Sequence, residues 1–176
     1  MKRFASHYFL RPDGTLGSYP VVEVNADGVI QSVVEYGSSF TETAGVSFFG
    51  GIMLPGFIGL VGDGELFTHS YIRKCGLDGY LRFVCSGATV FSDDRRVFHR
   101  SEKLLTEVQP LPAFESRSDF EALVTQLTLE RTQSLGVYPR WGVLKQDASP
   151  GIMVVEGIEL KNFRIVSPLR YRILVP

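Results

Sequence analysis

The sequence is poor in histidine and cysteine and has no long apolar runs. Three histidines occur in the whole chain, and the two cysteines, Cys75 and Cys85, lack the Cys-x-x-Cys spacing of a zinc or redox site. No apolar run approaches the roughly 18 residues that a membrane-spanning helix needs, and the first residues lack the apolar region of a signal peptide. We therefore expect a cytoplasmic protein, away from membranes, whose cysteines are buried thiols.

The sequence also lacks an excess of charge of either sign. Eighteen basic residues face nineteen acidic ones, for a formal net charge of -1, and they are scattered along the chain. Without a basic face, the sequence does not predict nucleic-acid binding. Hydrophobic residues make up 44% of the chain and charged residues 21%, which is typical of a globular protein with its own core. We expect one compact unit.

What the sequence does contain is β structure at both ends. Near the start, YPVVEV and VIQSVVEY are rich in β-branched residues, and Asp27-Gly28 between them is a strong hairpin signal. Near the end, LRYRILV alternates apolar residues with Arg170 and Arg172, which is typical of a strand with one buried face. Both ends are therefore predicted to be β-rich.

The middle of the chain predicts helices. The clearest is SDFEALVTQLTLERTQSLG, in which Ser118 and Glu121 have the spacing of a capping box and Gly136 is a C-terminal stop. Its apolar stripe consists of Phe120, Leu123, Val124, Leu127 and Leu135. A weaker helix is predicted over about 69–84, where two glycines lower the helical propensity.

Two motifs, in this order of elements, resemble the amidohydrolase superfamily of metal-dependent hydrolases. The first runs from VVEVNADGVIQSVV to GGIMLPGFIG. It is similar to the family's hairpin and its Leu-Pro-Gly-Phe-Ile-Asp entry to the barrel. The second, TLERTQSLGVYPRWGVLKQDASPGIMVVEG, resembles the family's last barrel helix and the return to its β-sandwich, although Pro150-Gly151 stands where the family usually has Ala-Asp.

The resemblance implies an α+β fold with a β-sandwich built from both chain termini, the family's composite domain. Residues 1–56 and 137–176 would form this sandwich, and residues 57–136 would be a short helical insert. A TIM barrel takes at least about 200 residues, whereas only about eighty separate Gly56 from Trp141. We therefore expect most of the barrel to be missing.

The family's first metal ligands are missing as well. There Pro-Gly-Phe-Ile is followed by Asp-x-His-x-His, whereas Gly59, Val61 and Asp63 occupy the three places here. Valine has no lone pair to donate, and one carboxylate is not a site. His69 with Asp63 and Glu65 is the best remaining candidate site for a divalent metal, but a polar loop leading into a helix is the favoured interpretation. We expect no catalytic residue and no cofactor.

A second local group is His99 near Asp93 and Asp94. A carboxylate–histidine pair is able to act as a general base. The surrounding segment, SDDRRVFHR, is nevertheless more typical of a solvated turn in which Asp and Arg pair at the surface. We favour the turn.

Tyr138, Arg140 and Trp141 lie at the predicted return to the sandwich. They are candidates to line a groove for a small molecule, whose identity the sequence does not give. The alternative, which we favour, is that they cap the core at the junction between the insert and the sandwich. Neither interpretation requires catalysis.

The function predicted from the sequence is a degenerate, non-catalytic amidohydrolase-like module for binding or assembly. The alternative is a metal-dependent hydrolase of carbon–nitrogen bonds, with a site rebuilt around Asp63 and His69 or shared between subunits. Loss of the barrel would uncover apolar surface, yet FFGGIMLPGFIGLV and YLRFVCSGATVF remain strongly apolar. Since large apolar patches are uncommon on monomers, we expect a homodimer.

Overall fold

A computed structural model describes residues 1–41, 44–56, 60–61, 65–66, 114–134, 136 and 138–175. The strands are β1 (Lys2–Leu10), β2 (Leu16–Ser18), β3 (Pro20–Val24), β4 (Ile30–Glu35), β5 (Ser47–Pro55), β6 (Leu60–Val61), β7 (Glu65–Leu66), β8 (Ile152–Glu159) and β9 (Arg164–Val175). The helices are α1 (Arg117–Thr125), a π-helical turn (Gln126–Glu130) and α2 (Arg131–Ser134). A 3-10 turn covers Gly37–Ser39.

Seven of these strands form one mixed sheet. Its order is β4-β3-β1-β5-β8-β9, and β2 pairs with the far end of β1. The pairing of β1 with β5 is parallel and the other pairings are antiparallel, while β6 and β7 pair with each other. Strands from both ends of the chain thus lie in one sheet, and the architecture is mainly β with a short helical part, compatible with the α+β class.

The hairpin predicted at Asp27-Gly28 is confirmed. It joins β3 to β4, with Val22 opposite Val33 in the ladder. The side-chain oxygen of Asn25 accepts hydrogen bonds from the backbone N–H groups of Asp27 and Val29, both at 3.0 Å. Gly28 completes the turn at φ +78, a conformation that glycine adopts without strain.

The main core lies between this sheet and residues 138–151, which lead back into β8 and are called the return segment below. Its members are Phe4, Phe9, Val22, Val24, Ile30, Met53, Leu144, Ile152, Val154 and Val175. All but Leu144 lie on strands. Successive side chains of a strand point to opposite faces of the sheet, so each strand contributes some of its residues to this core. Leu144, only 1% exposed, belongs to the return segment and is buried against them.

The middle helix begins two residues earlier than its capping signal predicted. Ser116, not Ser118, is the N-cap, because the Ser116 hydroxyl accepts the Asp119 N–H at 3.2 Å. The predicted Ser118–Glu121 capping box is therefore wrong. The predicted stripe is buried at Phe120, Leu123, Val124 and Leu127, while Leu135 and the weaker helix over 69–84 lie outside the described residues.

Within the described ranges, no helix combines the length and apolar character needed to cross a bilayer.

Candidate functional site

The two motifs that carry the family resemblance meet side by side in the sheet. Leu54 lies opposite Met153 and Pro55 opposite Ile152, although about a hundred residues separate the two strands in sequence. Just beyond the strands, the Gly56 N–H lies 3.3 Å from the Gly151 carbonyl oxygen. The chain therefore leaves the sheet after β5 and comes back to it, at β8, at the same place.

The return segment is packed tightly against the helical part through Gly142. A Cβ atom at Gly142 would approach the Thr132 hydroxyl to 2.5 Å and the Thr128 carbonyl oxygen to 2.8 Å. Thr128 and Thr132 are fully buried, and their hydroxyls donate to the carbonyl oxygens of Val124 and Leu129. Since Gly142 also has a φ of +78, only glycine fits here without displacing the helix.

The predicted candidates Tyr138, Arg140 and Trp141 lie on this return segment. Tyr138 is 40% exposed, Arg140 is exposed and Trp141 is half-buried. The backbone at Arg140 is fixed, since its carbonyl oxygen accepts the Ser149 N–H at 2.9 Å. Whether the three side chains line a groove or cap the junction stays a prediction.

Apart from Glu65, the candidate metal ligands, the candidate general base and the two cysteines noted in the sequence lie outside the described residues. This applies to Asp63, His69, Asp93, Asp94 and His99, and also to Cys75 and Cys85. Val61, at the place of a family histidine, lies in β6 opposite Glu65. Among the residues that the structure does describe, no group of three or more His, Cys, Asp or Glu side chains is placed to hold a metal ion.

A polar cluster that the sequence analysis did not single out joins β1 to β4. The Arg11 guanidinium makes two hydrogen bonds to the Glu35 carboxylate, at 2.9 Å and 2.7 Å. The Ser18 N–H donates to the same carboxylate at 2.9 Å. The hydrogen bonds from Arg11 lower the pKa of Glu35 and, in return, raise the pKa of Arg11. Both groups are therefore charged near neutral pH.

The turn before β2 carries a second perturbed carboxylate. Asp13 accepts hydrogen bonds from the Thr15 hydroxyl at 2.7 Å and from the Thr15 N–H at 2.9 Å. The hydroxyl contact is the main reason why the pKa of Asp13 lies below its ordinary value. The sequence RPDGT, Arg11 to Thr15, is typical of a turn, but the pairing of Arg11 with Glu35 depends on the sheet.

Beside this cluster lies a surface depression with a volume of about 400 Å³. We name it the Lys145 depression. Its walls are formed by Phe9, Arg11, Pro12, Ser32, Val33, Glu35, Leu144, Lys145 and Gln146. They come from β1 and the turn after it, from β4 and from the return segment. No sequence motif marks it, because these residues meet only in the folded chain.

A third feature is a group of aromatic rings around His7. The His7 ring meets Phe48 edge-on, with centroids 5.0 Å apart, and lies 5.9 Å from Tyr19. Tyr19 stacks on Phe40 at 5.4 Å. These rings pack mainly on one another, which is typical of a small satellite core.

Comparisons with known proteins give no family match and a partial structural similarity. No protein-family model matches the chain, and no curated protein matches it. Among solved structures, the crystal structure of an amidohydrolase from Brucella melitensis is similar at 15% sequence identity and a TM-score of 0.29. The similarity covers 61% of this chain and 18% of the other.

Proposed function

We propose that this protein is a degenerate amidohydrolase-like module that binds or assembles with other molecules and does not catalyse hydrolysis. Residues 1–56 and 137–176 form its composite β-sandwich domain in this proposal, and residues 57–136 are the shortened insert. The protein acts in the cytoplasm.

The observation that carries the proposal is the pairing of β5 with β8. Both sequence motifs that resemble the family end at this pair of strands, and the Gly56 N–H lies 3.3 Å from the Gly151 carbonyl oxygen. When a domain is built from both chain ends around an inserted segment, the two ends of that segment must lie close together. The identity of the residues that follow supports the loss of catalysis, since Val61 supplies no ligand where the family has a histidine.

The length of the inserted segment supports the same conclusion. About eighty residues separate Gly56 from Trp141, against at least about 200 for a complete TIM barrel. A site that draws its ligands from several barrel strands loses most of them in so short a segment. We therefore place the function in binding and assembly, with no resident metal.

Metal analysis of the purified protein tests this proposal. We expect far less than one zinc, iron or manganese ion per chain after loading with each metal and gel filtration. His69→Ala should leave this residual content unchanged, as should the control His7→Asn. One tightly held metal ion per chain, lost in His69→Ala and retained in His7→Asn, would establish the hydrolase alternative instead.

Assembly is proposed to occur through β9, as a homodimer. This outermost strand has twelve residues, and β8 is its only partner among the described strands. Ile165 and Val166 on it are 44% and 66% exposed. A long edge strand with exposed apolar residues is a ready template for pairing, and antiparallel pairing of two copies gives a closed two-fold dimer.

Light scattering coupled to size-exclusion chromatography measures the oligomeric state directly. We expect the mass of a dimer at micromolar concentration and a shift toward the monomer in Ile165→Lys. Val34→Lys is the matched control, because Val34 is also 44% exposed but lies on β4 at the opposite edge of the sheet. A monomeric parent, or dissociation by Val34→Lys alone, would exclude the β9 dimer.

A further inference from the structure

The Lys145 depression is open to solvent and large enough to hold a small molecule. Its volume of about 400 Å³ falls in the range of known ligand pockets. Phe9 and Leu144 form a rigid floor and are only 3% and 1% exposed, since both belong to the main core, whereas Pro12 is exposed at the side of the depression. Val33 is half-buried beside them. The apolar walls are therefore held in place by the core.

The loop that carries Lys145 is held in place by the backbone. The Asp147 N–H donates to the Ile30 carbonyl oxygen, and the Ile30 N–H donates to the Ala148 carbonyl oxygen, both at 2.9 Å. The Ala148 N–H in turn donates to the Lys145 carbonyl oxygen at 3.2 Å. This end of the depression is thus tied to the start of β4, so a ligand meets a preformed wall.

The charges around the depression leave one cation uncompensated. The Glu35 carboxylate already accepts three hydrogen bonds, two from Arg11 and one from Ser18, so this pair is neutral as a unit. Lys145 is half-buried, and no hydrogen bond or ion pair connects its side chain with another described residue. The charged groups among the described wall residues, Arg11, Glu35 and Lys145, therefore sum to a single positive charge.

We infer that the Lys145 depression binds a small organic monoanion, a carboxylate joined to an apolar body, with Lys145 as its charge partner. One ammonium group matches one carboxylate, whereas a phosphate dianion would bring a second charge with no cation to meet it. The apolar body of the ligand covers Val33 and Pro12, above a floor formed by the buried Phe9 and Leu144. The Gln146 side chain, at the rim, supplies an amide donor for the second carboxylate oxygen.

This site goes beyond the proposed function. Every wall residue that the structure describes comes from the sheet, its turns or the return segment, and none of the described residues between 57 and 136 is among them. It therefore depends neither on the absence of a metal from the insert nor on pairing through β9. Its test is separate from those of the proposed function.

The probe for the test is benzoate, with benzamide as a neutral molecule of the same shape. In a titration of the isotope-labelled full chain followed by amide NMR, we expect saturable benzoate shifts at Val33, Lys145 and Gln146. Binding should be in the millimolar range, as expected for so small a molecule. Benzamide should bind at least about tenfold more weakly, because it lacks the charge that Lys145 neutralises.

Three lysine variants decide the role of the side chain. Lys145→Met should weaken benzoate binding at least about fivefold, and Lys145→Arg should retain it, since arginine keeps the charge. Lys161→Met, at an exposed position in the turn between β8 and β9, removes the same charge elsewhere and should have no effect. Equal binding of benzoate and benzamide, shifts confined to other residues, or equal losses in Lys145→Met and Lys161→Met would overturn the inference.

Discussion

The backbone N–H of Gly51 donates a hydrogen bond to Nδ1 of His7 at 3.2 Å. The parallel pairing of β1 with β5 shifts its register between Ser6 and Tyr8, next to this contact. A side-chain nitrogen thus accepts an N–H at an irregular point of the ladder. Because Nδ1 is the acceptor, the neutral ring carries its proton on Nε2.

Replacement of Gly51 should be among the most damaging single changes in the sheet. A Cβ atom there would overlap the carbonyl oxygen of Val155, and the backbone has a φ of +120. We expect Gly51→Ala to lower the free energy of unfolding by more than about 3 kcal/mol, since backbone strain adds to the overlap. Gly45→Ala is the control, because Gly45 has a φ of +81 but open space around it. It should cost only about 1 kcal/mol. Urea denaturation measures both, and equal costs would show that the overlap is relieved.

The position of the helix cap gives a prediction that separates two nearby serines. Ser116→Ala removes the acceptor for the Asp119 N–H and should cost about 1 kcal/mol of stability. Among the described residues, the Ser118 hydroxyl has a hydrogen-bond partner only in the Ser116 hydroxyl, at 2.9 Å, so Ser118→Ala should cost much less. Thermal unfolding of the two variants distinguishes them. A larger loss in Ser118→Ala would restore the capping box predicted from the sequence.

Glu121 joins the helical part to the sheet. Its carboxylate accepts the Leu16 N–H at 2.8 Å and the Arg117 side chain at 2.9 Å, while Arg117 also donates to the Leu16 carbonyl oxygen. Glu121→Ala leaves a partly buried N–H without its partner, so we expect a loss of about 1–3 kcal/mol. Glu130→Ala, at an exposed position two turns further on, should change stability by less than about 0.5 kcal/mol. Similar values for the two in urea denaturation would contradict this role.

Because of the Arg11–Glu35 ion pair, we expect the folded protein to lose stability in acid. The pKa of Glu35 is lowered in the folded protein because Arg11 donates to it, whereas in the unfolded chain it returns to about 4.3. The folded state therefore gains stability that is complete above the unfolded value and is lost as the pH falls through the folded pKa. Between about pH 6 and about pH 3, Glu35→Gln should lose less stability than the parent.

The size of this effect is limited by exposure. The two side chains are 38% and 30% exposed, so the difference between parent and variant should stay below about 1 kcal/mol. Arg11→Gln removes the same pair and should flatten the acid dependence to a similar degree. Urea midpoints at several pH values measure it, and a Glu35→Gln variant as acid-sensitive as the parent would show that the pair contributes nothing.

Local signals predicted the local elements. Asp27-Gly28 predicted its hairpin because the turn depends on the conformation of adjacent residues alone. The helix and most of its buried stripe followed from spacing in the same way. Its start was misplaced because Ser116 and Ser118 are each followed, three residues on, by a carboxylate residue.

Individual strand pairings and side-chain contacts between distant residues were not predicted. Nothing in the sequence placed β1 parallel to β5, and so nothing indicated that His7 meets Gly51. The pairing of Arg11 with Glu35 spans 24 positions, and Lys145 joins them only through the return segment. Such sites depend on which strands become neighbours in the sheet. The alternation of apolar and polar residues along a strand predicts its buried face but does not identify the neighbouring strand.

The meeting of Gly56 with Gly151 also bears on how this fold is able to evolve. Because the two ends of the intervening segment are held together by the sheet, a change in its length does not pull the strands apart. Each doubling of a flexible connection costs only about 0.6 kcal/mol of closure entropy. Deletions and additions there are therefore nearly neutral for the sheet, and selection acts on them through what the segment does. The end of the β5–β8 pair is therefore a position at which segments of very different length can be inserted without disturbing the sheet.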